Sequence, residues 1–138
     1  MTLSLSRPAY WFIHLWLLAY SGVLLAAFAM QFGLGELPCP LCMLQRYGMI
    51  LSSLGPFWII LQDNRGQLTA QSYQQGLGLA ALGALLGASV STRQVLLHIL
   101  PGDAGYGSAL LGAHLYSWAL VTFIVTLLAV AILGILAP

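Results

Sequence analysis

Hydrophobic and polar positions alternate along this chain in blocks rather than turn by turn. Four long apolar runs, roughly Ala9 to Phe32, Cys42 to Gln62, Gln74 to Leu100 and Ala109 to Leu136, are separated by short polar or Gly/Pro-rich breaks. Each run reaches the length of about 20 residues that a helix needs to cross the hydrocarbon of a bilayer. Lipid offers no partner to an open backbone amide, so each run is expected to be helical, and short connections favour one bundle. The pattern predicts an all-α membrane protein: a single four-transmembrane-helix domain over residues 1–138, with helices at about 9–32, 42–62, 74–100 and 109–136.

Composition strengthens this picture. Hydrophobic residues make up 60% of the chain and charged residues 5%, with mean hydropathy +0.93; soluble domains carry charge on about a quarter of their residues. The net charge of +1 and the absence of lysine leave no basic patch, which argues against nucleic acid as a partner. Arg7 precedes the first run, and its end carries Ala27-Phe28-Ala29, so a cleaved signal peptide has to be weighed; the run is longer than a typical signal core, and the segment is expected to be retained.

Positive residues favour the cytoplasmic side. Arg7 and Arg65 lie at breaks on one side, whereas "GLGELP" and "PGDAGYGS" hold acids and no cation. This places both termini in the cytoplasm and the connection carrying Cys39 and Cys42 on the outer, periplasm-like side.

Within the third run, "GLGLAALGALLGASVS" spaces small residues four apart at Gly76, Ala80, Ala84 and Ala88, with a GxxxG at Gly83 and Gly87. Such a stripe lets helices approach closely in lipid, and packing inside the bundle is the expected use. Pro56 is expected to kink or loosen the second helix. The tryptophans and tyrosines, mostly near run ends, suit an interfacial aromatic belt.

The chemistry concentrates in "GELPCPLCMLQRYGMI", residues 35–50, which holds both cysteines of the chain. Pro38 and Pro40 resist helix before Cys42, placing Cys42 at the amino end of the second helix, where unpaired amides and the helix dipole stabilise a thiolate. Arg46, four residues on, projects from the same face, and a cation at a bilayer edge calls for a partner or a task. A C-x-x-C spacing suits a dithiol that cycles with a disulfide. Two alternatives stay open: an inert structural disulfide, and a metal site completed by His98 and His114, although this spacing matches no familiar zinc pattern. Arg93, Gln94 and His98 gather near the outer end of the third helix and His114 near the outer start of the fourth; His14 is expected to be an ordinary hydrogen-bonded side chain.

"C-P-L-C-M-L-Q-R" resembles the signature of the bacterial disulfide bond formation protein B (DsbB) family, in which C-x-L-C is followed two residues later by Q-R or E-R. The resemblance implies a four-helix inner-membrane bundle with this motif at the outer start of helix two. It also implies a thiol:quinone oxidoreductase that takes electrons from a periplasmic thiol oxidase of the DsbA type and passes them to ubiquinone or menaquinone. Cys39 and Cys42 would then form the redox pair, and Arg46 would hold the thiolate or a quinone oxygen. Arg93, His98 and His114 resemble the family's polar residues near the quinone more loosely. The chain departs from the well-known members in one respect: their second cysteine pair lies in a long loop between helices three and four, and here that connection, "PGDAGYGSAL", has no cysteine. Cys39 and Cys42 would exchange directly with a partner dithiol, another polypeptide would supply the relay, or the chain would be an accessory subunit of a larger membrane complex. A more distant likeness is to quinone-epoxide reductases, which also use a membrane C-x-x-C on four helices.

Overall fold

The structure, a computed structural model, describes residues 1–35, 40–102, 109–110 and 113–136. Four long helices dominate them: α1 (Arg7–Gly33), α2 (Pro40–Asn64), α3 (Ala70–Leu97) and α4 (Leu115–Leu136).

Their ends follow from local chemistry. Pro8 sits in the first turn of α1, where a missing N–H removes no helical bond. At the other end the Leu34 N–H closes on the Met30 carbonyl at 3.0 Å, and Gly35 follows at φ +68°, a left-handed conformation that glycine adopts without strain. Pro40 opens α2 in the same way that Pro8 serves α1. Thr69 and Ser72 form a reciprocal capping box at the start of α3, with Ser72 N–H to Thr69 Oγ1 at 3.1 Å and Thr69 N–H to Ser72 Oγ at 2.8 Å.

The fourth apolar run is not helical throughout. Its first residues instead include a two-residue antiparallel ladder, β1 (Ala109–Leu110) with β2 (Ala113–His114), and α4 starts only at Leu115. α2 continues through Pro56, whose ring is buried, and the helix is not interrupted there.

α2 and α3 form the central pair. The buried positions of α2, at Gln45, Gly48, Met49, Ser52, Gly55, Pro56 and Ile59, recur every three or four residues and face a matching stripe on α3. The two helices run antiparallel at close range. A side chain at Gly48 would come within 2.9 Å of the Gly87 Cα, one at Gly83 would meet the Ser52 backbone, and one at Gly55 would meet Gly76 and Ala80. The small-residue stripe is thus internal packing, and the Ser52 hydroxyl adds a bond to the Ala80 carbonyl at 3.0 Å.

α4 packs against α3, with the Phe123 ring filling the space above Gly87, and α1 leans on α2. Tyr20 of α1 and Thr126 of α4 are joined by a buried hydroxyl–hydroxyl hydrogen bond. At the Arg7 end, the Leu3 N–H binds the Leu68 carbonyl at 2.6 Å and the Leu5 N–H reaches Asp63 Oδ1 at 3.3 Å, so the residues before α1 are stitched to the α2–α3 connection.

Among the described residues, three helices are long and apolar enough to cross a membrane: α1, α3 and the Tyr116–Leu136 part of α4, with mean hydropathy of 1.9, 1.3 and 2.9 in their most apolar windows. α2 falls outside this set because Gln45, Arg46, Ser52, Ser53, Gln62 and Asp63 dilute its apolar character. The large apolar side chains of α1 and α4 that point outward, such as Leu18, Leu25, Leu128 and Ile135, match a hydrocarbon surround.

Candidate functional site

One end of the bundle gathers the start of α2 and the end of α3, with the end of α1 joined to it through Arg46. Cys42 is the third residue of α2 and half-buried, so it lies in the turn whose backbone N–H groups have no helical acceptor. Cys39 lies outside the described residues, and so does the side chain of His114.

Helical geometry places two polar neighbours around the sulfur. At 3.6 residues per turn, Gln45 is rotated about 60° from Cys42 one way and Arg46 about 40° the other. Gln45 thereby faces α3, where its Nε2–H donates to Gln94 Oε1 at 2.7 Å. Gln94 is 1% exposed, and its Nε2 approaches Cys42 Sγ at 3.6 Å, with its Oε1 at 3.9 Å from the same sulfur.

Arg46 faces α1. Its guanidinium donates to Gln31 Oε1 and, at 3.4 Å, to the Ala27 carbonyl, and its central carbon stands 4.8 Å from the Phe28 ring centroid. The four-residue spacing alone predicts Arg46 on the Cys42 face; the long side chain instead reaches sideways to a neighbouring helix. Its hydrogen-bond acceptors are neutral, so the group keeps its net positive charge.

The remaining candidates divide. Gln94 is buried beside Cys42, whereas Arg93, one residue earlier, is exposed. His98 caps α3, its N–H bound to the Val95 carbonyl at 3.1 Å and its ring 5.5 Å from that of Tyr116 in the first turn of α4. His14 is half-buried, with Nδ1 2.8 Å from the Tyr10 carbonyl, the ordinary role expected of it. Sequence reasoning gives Gln31 and Tyr116 no part in the site and reads Gln45 only as a member of the Q-R signature. The two glutamines do leave a signal, since a carboxamide inside an apolar run needs a partner.

The fold and this end of it define a class: a helical membrane protein with a thiol in the first turn of a helix, flanked by a carboxamide pair and a guanidinium. The class can be narrowed. The family model described as "Disulfide bond formation protein DsbB" matches residues 9–106, and the chain belongs to that family. It is similar to "Disulfide bond formation protein B" of Chromobacterium violaceum, 41% identical over 86 residues that are 62% of this chain and 49% of the relative. It is also similar to the protein of that name from Marinobacter nauticus, 37% identical over 93 residues, 67% of this chain and 53% of the relative. "Disulfide bond formation protein B 1" of Pseudomonas fluorescens aligns over 134 residues at 30% identity, covering 75% of this chain and 76% of the relative. The chain thus spans about half the length of the first two relatives. No solved structure matches it.

Proposed function

We propose that the chain is a membrane thiol:quinone oxidoreductase of the bacterial inner membrane, in which Cys39 and Cys42 form the redox pair. The reading is carried by one observation: Cys42 lies in the first turn of α2, at the end of the bundle where Gln45, Arg46, Gln94 and His98 also gather. In this reading α2 is the fourth span, both termini are cytoplasmic, and the cysteine end faces the periplasm.

The chemistry follows from these positions. A periplasmic dithiol partner of the DsbA type presents a thiolate that attacks the Cys39–Cys42 disulfide; one sulfur joins the mixed disulfide and the other leaves as an anion. Cys42 suits the leaving role because a helix amino end, where it sits, favours negative charge. The partner's second thiol then displaces the mixed disulfide, so two electrons pass to the pair.

The residues present fit a quinone, ubiquinone or menaquinone. Arg46 is a partly exposed cation with neutral acceptors, placed beside the outward-facing ring of Phe28, and a quinone pairs polar ring oxygens with an apolar body. When bound, a quinone supplies the two-electron acceptor. Arg46 would hold a ring oxygen, with Gln31 fixing the guanidinium, and His98, four residues beyond Gln94 with its ring 5.5 Å from that of Tyr116, is a further candidate ligand. Arg93, being exposed, suits a headgroup contact at the membrane surface.

Cys42→Ser in the purified protein should abolish quinone reduction by a dithiol donor. Turnover at the unsubstituted rate would refute the role of the sulfur.

A second reading has its own support in the cysteine-free connection between α3 and α4. The chain would be an accessory subunit that keeps the bundle inside a larger membrane complex. Purification as a stable, redox-active single chain would remove that reading.

A further inference from the structure

Two buried carboxamides in an apolar bundle need a reason. Gln45 is 5% exposed and Gln94 1%, and a primary amide taken out of water is costly unless its donors and acceptor are paired. The pair meets part of that need internally, because Gln45 Nε2–H donates to Gln94 Oε1 at 2.7 Å.

That bond has a directional consequence. A carboxamide has one donor end and one acceptor end, so a bond from Gln45 to Oε1 fixes which end of Gln94 is the NH₂. Both ends of the amide lie beside Cys42: Gln94 Nε2 stands 3.6 Å from Sγ as a donor, and Oε1, 3.9 Å away, accepts from the neutral thiol. A thiolate offers only lone pairs and can use only the donor end of the amide. Once the thiol proton is gone, the bond to Oε1 is lost and the Nε2–H donor is the end of Gln94 that serves the sulfur.

We propose that Gln94 is a catalytic residue that donates Nε2–H to the anionic sulfur of Cys42, and that Gln45 is the positioning residue that keeps the Gln94 amide turned to do so. The use of this arrangement rests on the reading of Cys42 as the reacting sulfur; the arrangement itself does not. It gives Cys42 stabilisation that does not draw on Arg46, which is engaged with Gln31 and Ala27 on α1. Sulfur anion and guanidinium are thereby served by different helices: α3 through Gln94 for the first, α1 through Gln31 for the second.

The test uses the full chain in detergent with Cys39→Ser, leaving Cys42 as its sole cysteine, and follows the rate of iodoacetamide alkylation against pH without quinone or donor. Only the thiolate reacts, so the midpoint of the profile reports the proton affinity of Cys42. Adding Gln94→Met should move that midpoint up by about one pH unit, equivalent to about tenfold slower alkylation below it. Gln45→Met should move it in the same direction by less, since Gln94 stays but is free to turn. The double variant should match Gln94→Met alone, because Gln45 acts through Gln94. Should Gln94→Met fail to fold as judged by gel filtration and circular dichroism, Gln94→Asn shortens the reach by one methylene and should give the same upward shift. Coincident profiles would overturn the role of Gln94, and additive shifts in the double variant would overturn the positioning role of Gln45.

The two proposals fail separately. If Cys42→Ser retained quinone turnover while Gln94→Met shifted the profile, the oxidoreductase reading would fall and the hydrogen bond would stand. If Cys42→Ser were inactive and the profiles coincided, only the Gln94 role would fall.

Discussion

At the scale of single residues, the site turns on how one helical turn distributes its neighbours. Gln45 and Arg46 bracket Cys42 on α2, and the angle between them sends one to α3 and the other to α1. The local spacing is legible in the sequence: Cys42 near a helix start and Arg46 one turn on both follow from "CPLCMLQR". The partners are not, because Gln31 and Gln94 arrive from other helices at the same depth, and no periodicity within α2 encodes that. This division makes a prediction about Arg46. Gln31→Leu removes a hydrogen bond that fixes the guanidinium while leaving the sulfur and Gln94 untouched. The KM for quinone in a dithiol-driven assay should rise by about tenfold, on the scale of one charge-assisted hydrogen bond, with the Cys42 alkylation profile unchanged. An unaltered KM would mean that Arg46 needs no anchor on α1. Arg46→Lys should show a similar rise, since an ammonium cannot span Gln31 and Ala27 with the planar fork of a guanidinium.

At the scale of elements, the α2–α3 contact holds the site's geometry, and it depends on what α3 lacks. Gly83 lies against the Ser52 backbone, so an added methyl meets main chain, which cannot move aside as a flexible side chain can. Gly83→Ala should therefore destabilise the bundle by about 1–3 kcal/mol, the usual cost of overpacking. At Gly78, on the same helix, an added methyl would have nothing within 4 Å, and Gly78→Ala should be neutral or stabilising by up to about 1 kcal/mol. Unfolding midpoints in mixed detergent compare the two, and equal losses would show that helix propensity rather than proximity is being measured. The stripe behind this contrast is readable in the sequence, as are the four apolar runs, because small residues and hydropathy are local properties. The start of α4 is not: "ALLGAHL" continues the apolar run, and hydropathy does not separate a short ladder from a helical turn. The residues that cap α3 and open α2 are partly legible, since Pro40 marks a helix boundary, while the Thr69–Ser72 box begins five residues ahead of the expected start at Gln74.

At the scale of the whole molecule, the ends of the bundle differ in what they tie together. One end holds Arg7, Asp63 and Arg65, with Leu3 and Leu5 stitched to the α2–α3 connection; the other holds Cys42, Arg46, Gln94 and His98. Charge alone does not orient such a chain, since two arginines stand at or near each end. Their environments break the tie. Arg7 and Arg65 are both exposed beside a connection, the setting in which the positive-inside preference operates, whereas at the cysteine end only Arg93 is exposed, Arg46 being engaged with α1 as part of the fold. The preference then predicts a cytoplasmic α2–α3 connection and a periplasmic end of α3. In a background with Cys39→Ser and Cys42→Ser, Gln67→Cys should react with a membrane-impermeant maleimide only after the inner membrane is opened. Leu100→Cys, exposed just beyond α3, should react in intact spheroplasts. The reverse pattern would put the sulfur on the reducing side of the membrane, where a disulfide at Cys42 would not persist, and the oxidoreductase reading would fail with it.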